Sequence, residues 1–178
     1  MTVIADAERP LVVAGVMGSI DAEVDGATKD IFLESAVFAP SAIRRTSRRL
    51  ALSTDSSYRF ERGVDPRGAE FAARRAIDLI LEVAGGELAG SPRICGAPPV
   101  VDREIEFTGD YMRRMLGFEV ADKAIHDVLA RLELDVEDVL IGELAGFRVR
   151  VPSFRLDLER PIDLVEESSQ RMPSRRII

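Results

Sequence analysis

Four acidic side chains, Asp157, Asp163, Glu166 and Glu167, form the most pointed chemical feature of this sequence. Positions 163, 166 and 167 project from one side of a helical turn, where like charges cost about 0.2–0.5 kcal/mol per pair. A hard cation such as Mg²⁺, which takes carboxylate oxygens and keeps several waters, would relieve that repulsion. Acids near a helix N-terminus also complement its dipole, and the residues alone leave both readings open. The remaining candidates are weaker. Gly15-Val-Met-Gly18 follows an apolar run, yet it has neither the lysine of a phosphate loop nor the third glycine of a dinucleotide fingerprint, so a tight turn is expected. The only histidine, His126, lies beside an apolar helical stripe, which excludes nucleophilic triad chemistry. The single Cys95 excludes an internal disulfide and a zinc site of repeated cysteines. Six arginines, Arg44, Arg45, Arg48, Arg49, Arg59 and Arg62, make the most basic patch and offer a surface to RNA phosphates. Their i,i+4 spacing, with Asp55 and Glu61 nearby, better suits a solvated helix face.

The 178 residues, 46% hydrophobic and 31% charged, belong to the globular class, and a formal charge of −7 restricts any nucleic-acid contact to a local surface. No apolar run approaches the roughly 18 residues of a membrane span, and the N-terminus lacks the basic start of a signal peptide; a cytoplasmic location without membrane contact is expected. The segment from Gly85 to Pro99 holds four glycines and three prolines, so the chain is divided into domains 1–98 and 99–178.

Upstream, Leu11 to Ala14 and Ile31 to Leu33 read as short buried strands. Pro40 starts a helix through Leu50 that buries Ile43, Thr46, Ser47 and Leu50. Asp65 caps a second helix that starts at Pro66 and stops at Gly85, with Ala69, Ala72, Ala73, Ala76, Ile77, Ile80 and Ala84 on its packing face. The first domain is therefore an α/β layer. Downstream, a strand at Glu104 to Phe107 precedes helices at Asp110 to Leu116 and, capped by Asp122, along Ile125, Val128, Leu129 and Leu132. Strands Val136 to Ile141 and Phe147 to Val151 follow, joined by a turn containing Gly142 and Gly146, and a last helix begins near Pro161. That order fits a small winged-helix-like α+β domain, so the fold class is α/β (α+β).

The long run from Ile43 to Pro66, IRRTSRRLALSTDSSYRFERGVDP, together with Ala14-Gly-Val-Met-Gly18 and Leu33-Glu-Ser-Ala-Val-Phe38, closely resembles the editing domain of the bacterial phenylalanyl-tRNA synthetase β subunit. The run PSFRLDLERPIDLVEE, from Pro152 to Glu167, is similar to the small domain that follows in that subunit. The resemblance implies an editing pocket at Gly15, Gly18, Glu34, Thr54 and Ser56 that hydrolyses tyrosine wrongly attached to phenylalanine tRNA. Such a cavity needs a polar partner for one phenolic hydroxyl, which Glu34 on a strand end can accept. Glycines at 15 and 18 permit close backbone approach, and small side chains at 54 and 56 leave room for the ring. The attacking group would be a positioned water, so no nucleophilic side chain is required.

For Asp157, Asp163, Glu166 and Glu167 the resemblance implies a Mg²⁺ ion shared with the synthetase α subunit, and it implies that α subunit and phenylalanine tRNA as partners. In the family an upstream half of the editing domain adds a histidine and an arginine that have no counterpart here, so the pocket is expected to be incomplete and the isolated chain inactive in charging. The family also continues after its two glutamates as a Val-Ala-Arg-Ile-Tyr-Gly-Tyr-like helix, whereas Ser168 to Ile178 departs from that pattern. A free-standing hydrolase of mischarged tRNA and an RNA-binding module are the alternatives. Apolar side chains such as Val12, Val13 and Phe32 are expected to lie uncovered and to favour self-association.

Overall fold

A computed structural model describes residues 1–96 and 102–172. They fall into two compact units, Met1–Pro99 and Val100–Ile178; the connector around the expected boundary at 98 and 99 lies outside the described residues, as does the tail from 173. Both sheets are antiparallel, so the architecture is α+β.

In the first unit, strands β1 (Val3–Ala5), β2 (Pro10–Val13) and β3 (Met17–Gly18) form a sheet in that order, with Val3 opposite Val13 and Val12 opposite Gly18. Helix α1 (Pro40–Leu50) opens on a proline, which needs no N–H there, and closes at Ala51 in the left-handed region. It buries Ile43, Thr46 and Ser47, while Leu50 is exposed. A short helix α2 (Asp55–Phe60), absent from the sequence expectations, follows Thr54.

Helix α3 (Gly68–Ala84) starts later than expected, because an Asp65 carboxylate oxygen accepts from the Arg67 backbone N–H at 2.9 Å and holds residues 66 and 67 in a turn. Ile31–Leu33 is not a strand: all three residues are exposed and no strand of the sheet pairs with them. A strand needs both a pairing edge and a face to bury.

The buried apolar residues of this unit are Ala14, Val16 and Ile43. Helix α3 contributes none, although its alanines and isoleucines recur at helical spacing. Phe32, Phe71 and Val83 are 92%, 75% and 84% exposed, so an amphipathic helix and its neighbouring loop lack an apolar cover among the described residues. Val12 and Val13 depart from expectation: the sheet leaves them half-buried rather than uncovered.

The second unit runs β4 (Arg103–Thr108), α4 (Gly109–Leu116), α5 (Asp122–Arg131), β5 (Asp135–Ile141), β6 (Leu144–Val151) and α6 (Pro161–Arg171), with sheet order β4-β6-β5. One sheet face places Ile105, Phe107, Phe147 and Val149 against Met112, Ile125, Leu129, Leu158 and Leu164. The other face pairs acids with arginines across strands: Glu104 opposite Arg150, Glu106 opposite Arg148, Asp135 opposite Arg150 and Glu137 opposite Arg148. Such cross-strand pairs fix register at roughly 0.2–1 kcal/mol each.

The hairpin turn is tighter than expected. Gly142 and Glu143 alone connect β5 to β6, with Gly142 at φ 64°, whereas Gly146 lies within β6. A Cβ at Gly146 would sit 2.7 Å from the Phe107 carbonyl oxygen, so glycine there serves strand packing. Asp122 is not the cap of α5. Ala121 is, because the Asp122 carboxylate accepts from Arg113 at 2.7 Å instead.

Candidate functional site

All five pocket positions named from the sequence, Gly15, Gly18, Glu34, Thr54 and Ser56, line one hollow of about 750 Å³ in the first unit. Its volume is in the range of small-molecule sites, roughly 300–1,000 Å³. Phe38 and Phe60 meet edge to face, with ring centroids 5.0 Å apart, and supply an apolar wall. Ala69 and Ala72 add the start of α3, which the Ser35 hydroxyl ties in place by donating to the Ala69 carbonyl at 2.7 Å.

Thr54 does more than stay small. Its hydroxyl donates to the Val16 carbonyl at 2.7 Å and accepts from the Ser57 N–H at 3.0 Å, while the Ser57 hydroxyl accepts from the Thr54 N–H at 2.9 Å. This capping box starts α2 and clips it to the turn between β2 and β3. Gly15 also has a different task from the expected one. At φ 65°, a Cβ there would lie 2.9 Å from Ile43 Cδ1 and 3.0 Å from Phe38 Cδ2, so its missing side chain admits the protein's own core. A Cβ at Gly18 would meet nothing within 4 Å, and that side of the hollow is open.

Glu34 lies on an irregular segment rather than a strand end. The residue is exposed, yet partial burial of its carboxyl at the hollow raises its pKa above the ordinary value. Asp55 and Asp65 also line the hollow, so its polar groups are three carboxylates and the hydroxyls of Ser35, Thr54 and Ser56 within an apolar wall. No described lining residue is a histidine, cysteine or lysine. An apolar wall with a few polar groups suits a small ligand that combines an apolar body with a polar end.

The acidic set of the second unit is dispersed among local partners. Arg155 donates to both oxygens of Asp157, at 2.9 and 2.7 Å, and also to Glu167. Asp163 accepts from the backbone N–H groups of Glu159 and Arg160 at 2.9 and 2.8 Å, completing the N-terminal cap of α6. Glu166 is exposed. Among the described residues no three His, Cys, Asp or Glu side chains gather where one ion could hold them. Asp157, Asp163 and Glu167 thus each have a partner within the chain, and the helix-capping role accounts for Asp163.

The Arg155 hydrogen bond is the main cause that depresses the Asp157 pKa, and backbone N–H groups, Glu159 first, do the same for Asp163. A depressed carboxylate pKa contributes stability that is present above its unfolded value and lost as pH falls through the folded value. We expect the second unit to lose stability on acidification below about pH 4. Arg155→Met should cost about 1–2 kcal/mol at pH 7, after allowance for exposure, and should flatten this acid response; urea midpoints measured from pH 2 to pH 7 check both.

Two family models match the chain: a B3/4 domain over residues 1–85 and a tRNA synthetase B5 domain over residues 105–169. The chain is 45% identical over 177 residues to the phenylalanine–tRNA ligase β subunit of Moorella thermoacetica, covering 99% of this chain and 21% of that protein. It is 42% identical over 166 residues to that of Syntrophus aciditrophicus, covering 92% and 20%, and 38% identical over 169 residues to that of Chlorobaculum tepidum, covering 94% and 21%. The chain belongs to the phenylalanine–tRNA ligase β-subunit family. It spans about a fifth of the length of these relatives.

Helix α6 continues past Glu167 to Arg171, with Ser168 fully buried and its hydroxyl without a hydrogen-bond partner among the described residues. The sequence reading missed Phe38, Phe60, Asp55 and Asp65 as lining residues of the hollow. Phe60 and Asp55 fall on α2, a helix announced only by Thr54 and Ser57 as a capping box. Both members of that box were visible in the sequence.

Proposed function

We propose that this chain acts as part of the β subunit of phenylalanine–tRNA ligase, and that the hollow of its first unit receives the aminoacyl end of mischarged tRNA. Glu34 accepts the hydrogen bond of a tyrosine hydroxyl, and a positioned water hydrolyses the ester. The observation that supports this most is the convergence of Gly15, Gly18, Glu34, Thr54 and Ser56 on one hollow, with a partly buried carboxylate inside an apolar wall. A site that hydrogen-bonds the extra hydroxyl can separate tyrosine from phenylalanine, which size alone cannot do. ATP-dependent charging of phenylalanine tRNA belongs to the complete ligase with its α subunit. The uncovered apolar residues Phe32, Phe71 and Val83 favour association with further protein, a second copy included.

Ionised Glu34 accepts the phenol more strongly than the neutral acid. As pH falls through its raised pKa, the preference for a tyrosyl over a phenylalanyl adenosine amide should therefore decline, while Glu34→Gln shows a weak preference independent of pH. Calorimetric titration across pH 4–8 reads this. A carboxyl with a raised pKa contributes stability that is full below its unfolded pKa and is lost as pH rises through the folded value. Glu34→Gln should then cost selectivity at neutral pH without costing stability.

Deacylation of tyrosyl-tRNA for phenylalanine tests the scope of this function. We expect no acceleration by the chain alone; hydrolysis that disappears in Glu34→Ala would instead establish a free-standing hydrolase. The sheet face of the second unit carries four acids against two arginines, which disfavours it as a nucleic-acid surface.

A further inference from the structure

We propose that the outward face of α1, together with Arg59 on α2, is a docking surface for the phosphate backbone of RNA. Helix α1 holds four arginines and no acid. At 100° per residue, Arg44, Arg48, Arg45 and Arg49 occupy one arc, opposite the buried Ile43, Thr46 and Ser47. Two of the six arginines of the patch are committed locally: Arg44 donates to the Glu61 carbonyl at 3.2 Å, and Arg62 pairs with Glu61 and stacks on Tyr58 at 3.6 Å. Arg45, Arg48, Arg49 and Arg59 are exposed and meet no carboxylate among the described residues.

Of the arginines elsewhere, Arg103, Arg113, Arg148, Arg150, Arg155 and Arg160 each hold an acid, whereas Arg75, Arg93, Arg114, Arg131 and Arg171 meet no carboxylate among the described residues but are scattered singly over separate segments. With 31 acidic and 24 basic side chains available, composition does not force four bare guanidinium groups onto neighbouring helices. Their like-charge spacing is unfavourable in isolation and turns favourable beside a polyanion. Guanidinium forks suit phosphate oxygens, and counterion release would supply the affinity.

The surface also leads into the hollow. The chain leaves α1 through Ala51 and reaches Thr54 three residues later, and Arg59 sits between Ser56 and Phe60, both of which line it. The choice of RNA as the polyanion rests on the reading of the hollow as a site for an RNA-borne aminoacyl ester, but the charge face itself does not.

The test uses an uncharged RNA hairpin with a single-stranded 3′ end and fluorescence anisotropy with the full 178-residue chain at several salt concentrations. We expect Arg45→Gln/Arg49→Gln to weaken binding about tenfold and to reduce the salt slope by about 1.4, at roughly 0.7 per lost phosphate contact on a single strand. Arg74→Gln/Arg75→Gln on α3 should leave both quantities unchanged. Failure of the hollow would thus appear in the Glu34 assays while RNA binding persists. The inference is overturned if the wild-type chain does not retain the RNA, if the α3 control weakens binding equally, or if vesicles of anionic phospholipid are bound more tightly than the RNA.

Discussion

Gly15→Val should destabilise the first unit by about 2–4 kcal/mol and abolish ligand binding in the hollow. Two costs coincide at this position. The backbone stands at φ 65°, where a β-branched residue is strained, and the new Cβ would meet Ile43 Cδ1 at 2.9 Å and Phe38 Cδ2 at 3.0 Å. Neither neighbour can yield easily, since Ile43 is one of the few buried apolar residues of the unit and Phe38 packs edge to face on Phe60. Displacing either one deforms the wall and loosens the α1 contact together. Amide resonances of the first unit should shift or broaden, while those of the second unit stay in place. Unchanged spectra and an unchanged unfolding midpoint would show that the turn tolerates a side chain.

Leu164→Ala should cost the second unit about 2–5 kcal/mol. Leu164 is fully buried on α6 and belongs to the cluster that includes Met112, Leu129, Val149 and Leu158. A domain of this size holds roughly 0.05–0.15 kcal/mol per residue, so the loss consumes much of its stability. Phe154→Ala, at a side chain 54% exposed, should change stability by less than about 0.5 kcal/mol and provides the control. Thermal unfolding separates the two variants. Similar melting temperatures for both would contradict the assignment of α6 to the core.

The second unit was legible in the sequence because its signals are local and complete. Alternating Ile105 and Phe107, the Gly117 stop and Pro161 at the start of α6 each name a boundary that the fold keeps. What the sequence did not show was side-chain choice: Asp122 binds Arg113 rather than capping α5, and Asp157 and Glu167 share Arg155. Linear spacing shows which acids share a helix turn. It does not show that an arginine two residues from Asp157 reaches both ends of the set.

The first unit was less legible. Ile31, Phe32 and Leu33 have strand chemistry, but the described residues provide no strand to pair with them. Its hollow was found through resemblance, and spacing alone read Gly15 and Gly18 as a turn. The structure refined the roles within that set: Gly15 makes room for Ile43, Thr54 clips α2 to residue 16, and Glu34 is the member whose pKa the hollow perturbs.

The most direct measurement is the affinity of the chain for tyrosine and for phenylalanine, each joined by an uncleavable amide to the 3′ position of adenosine, at pH 7.5. Tyrosine should be preferred by about 10- to 100-fold, as expected for one hydrogen bond to a charged acceptor, and Glu34→Ala should erase the preference. Equal binding of the two amides by the wild-type chain, or a preference that survives Glu34→Ala, would contradict the assignment of the hollow as the site that reads the tyrosine hydroxyl.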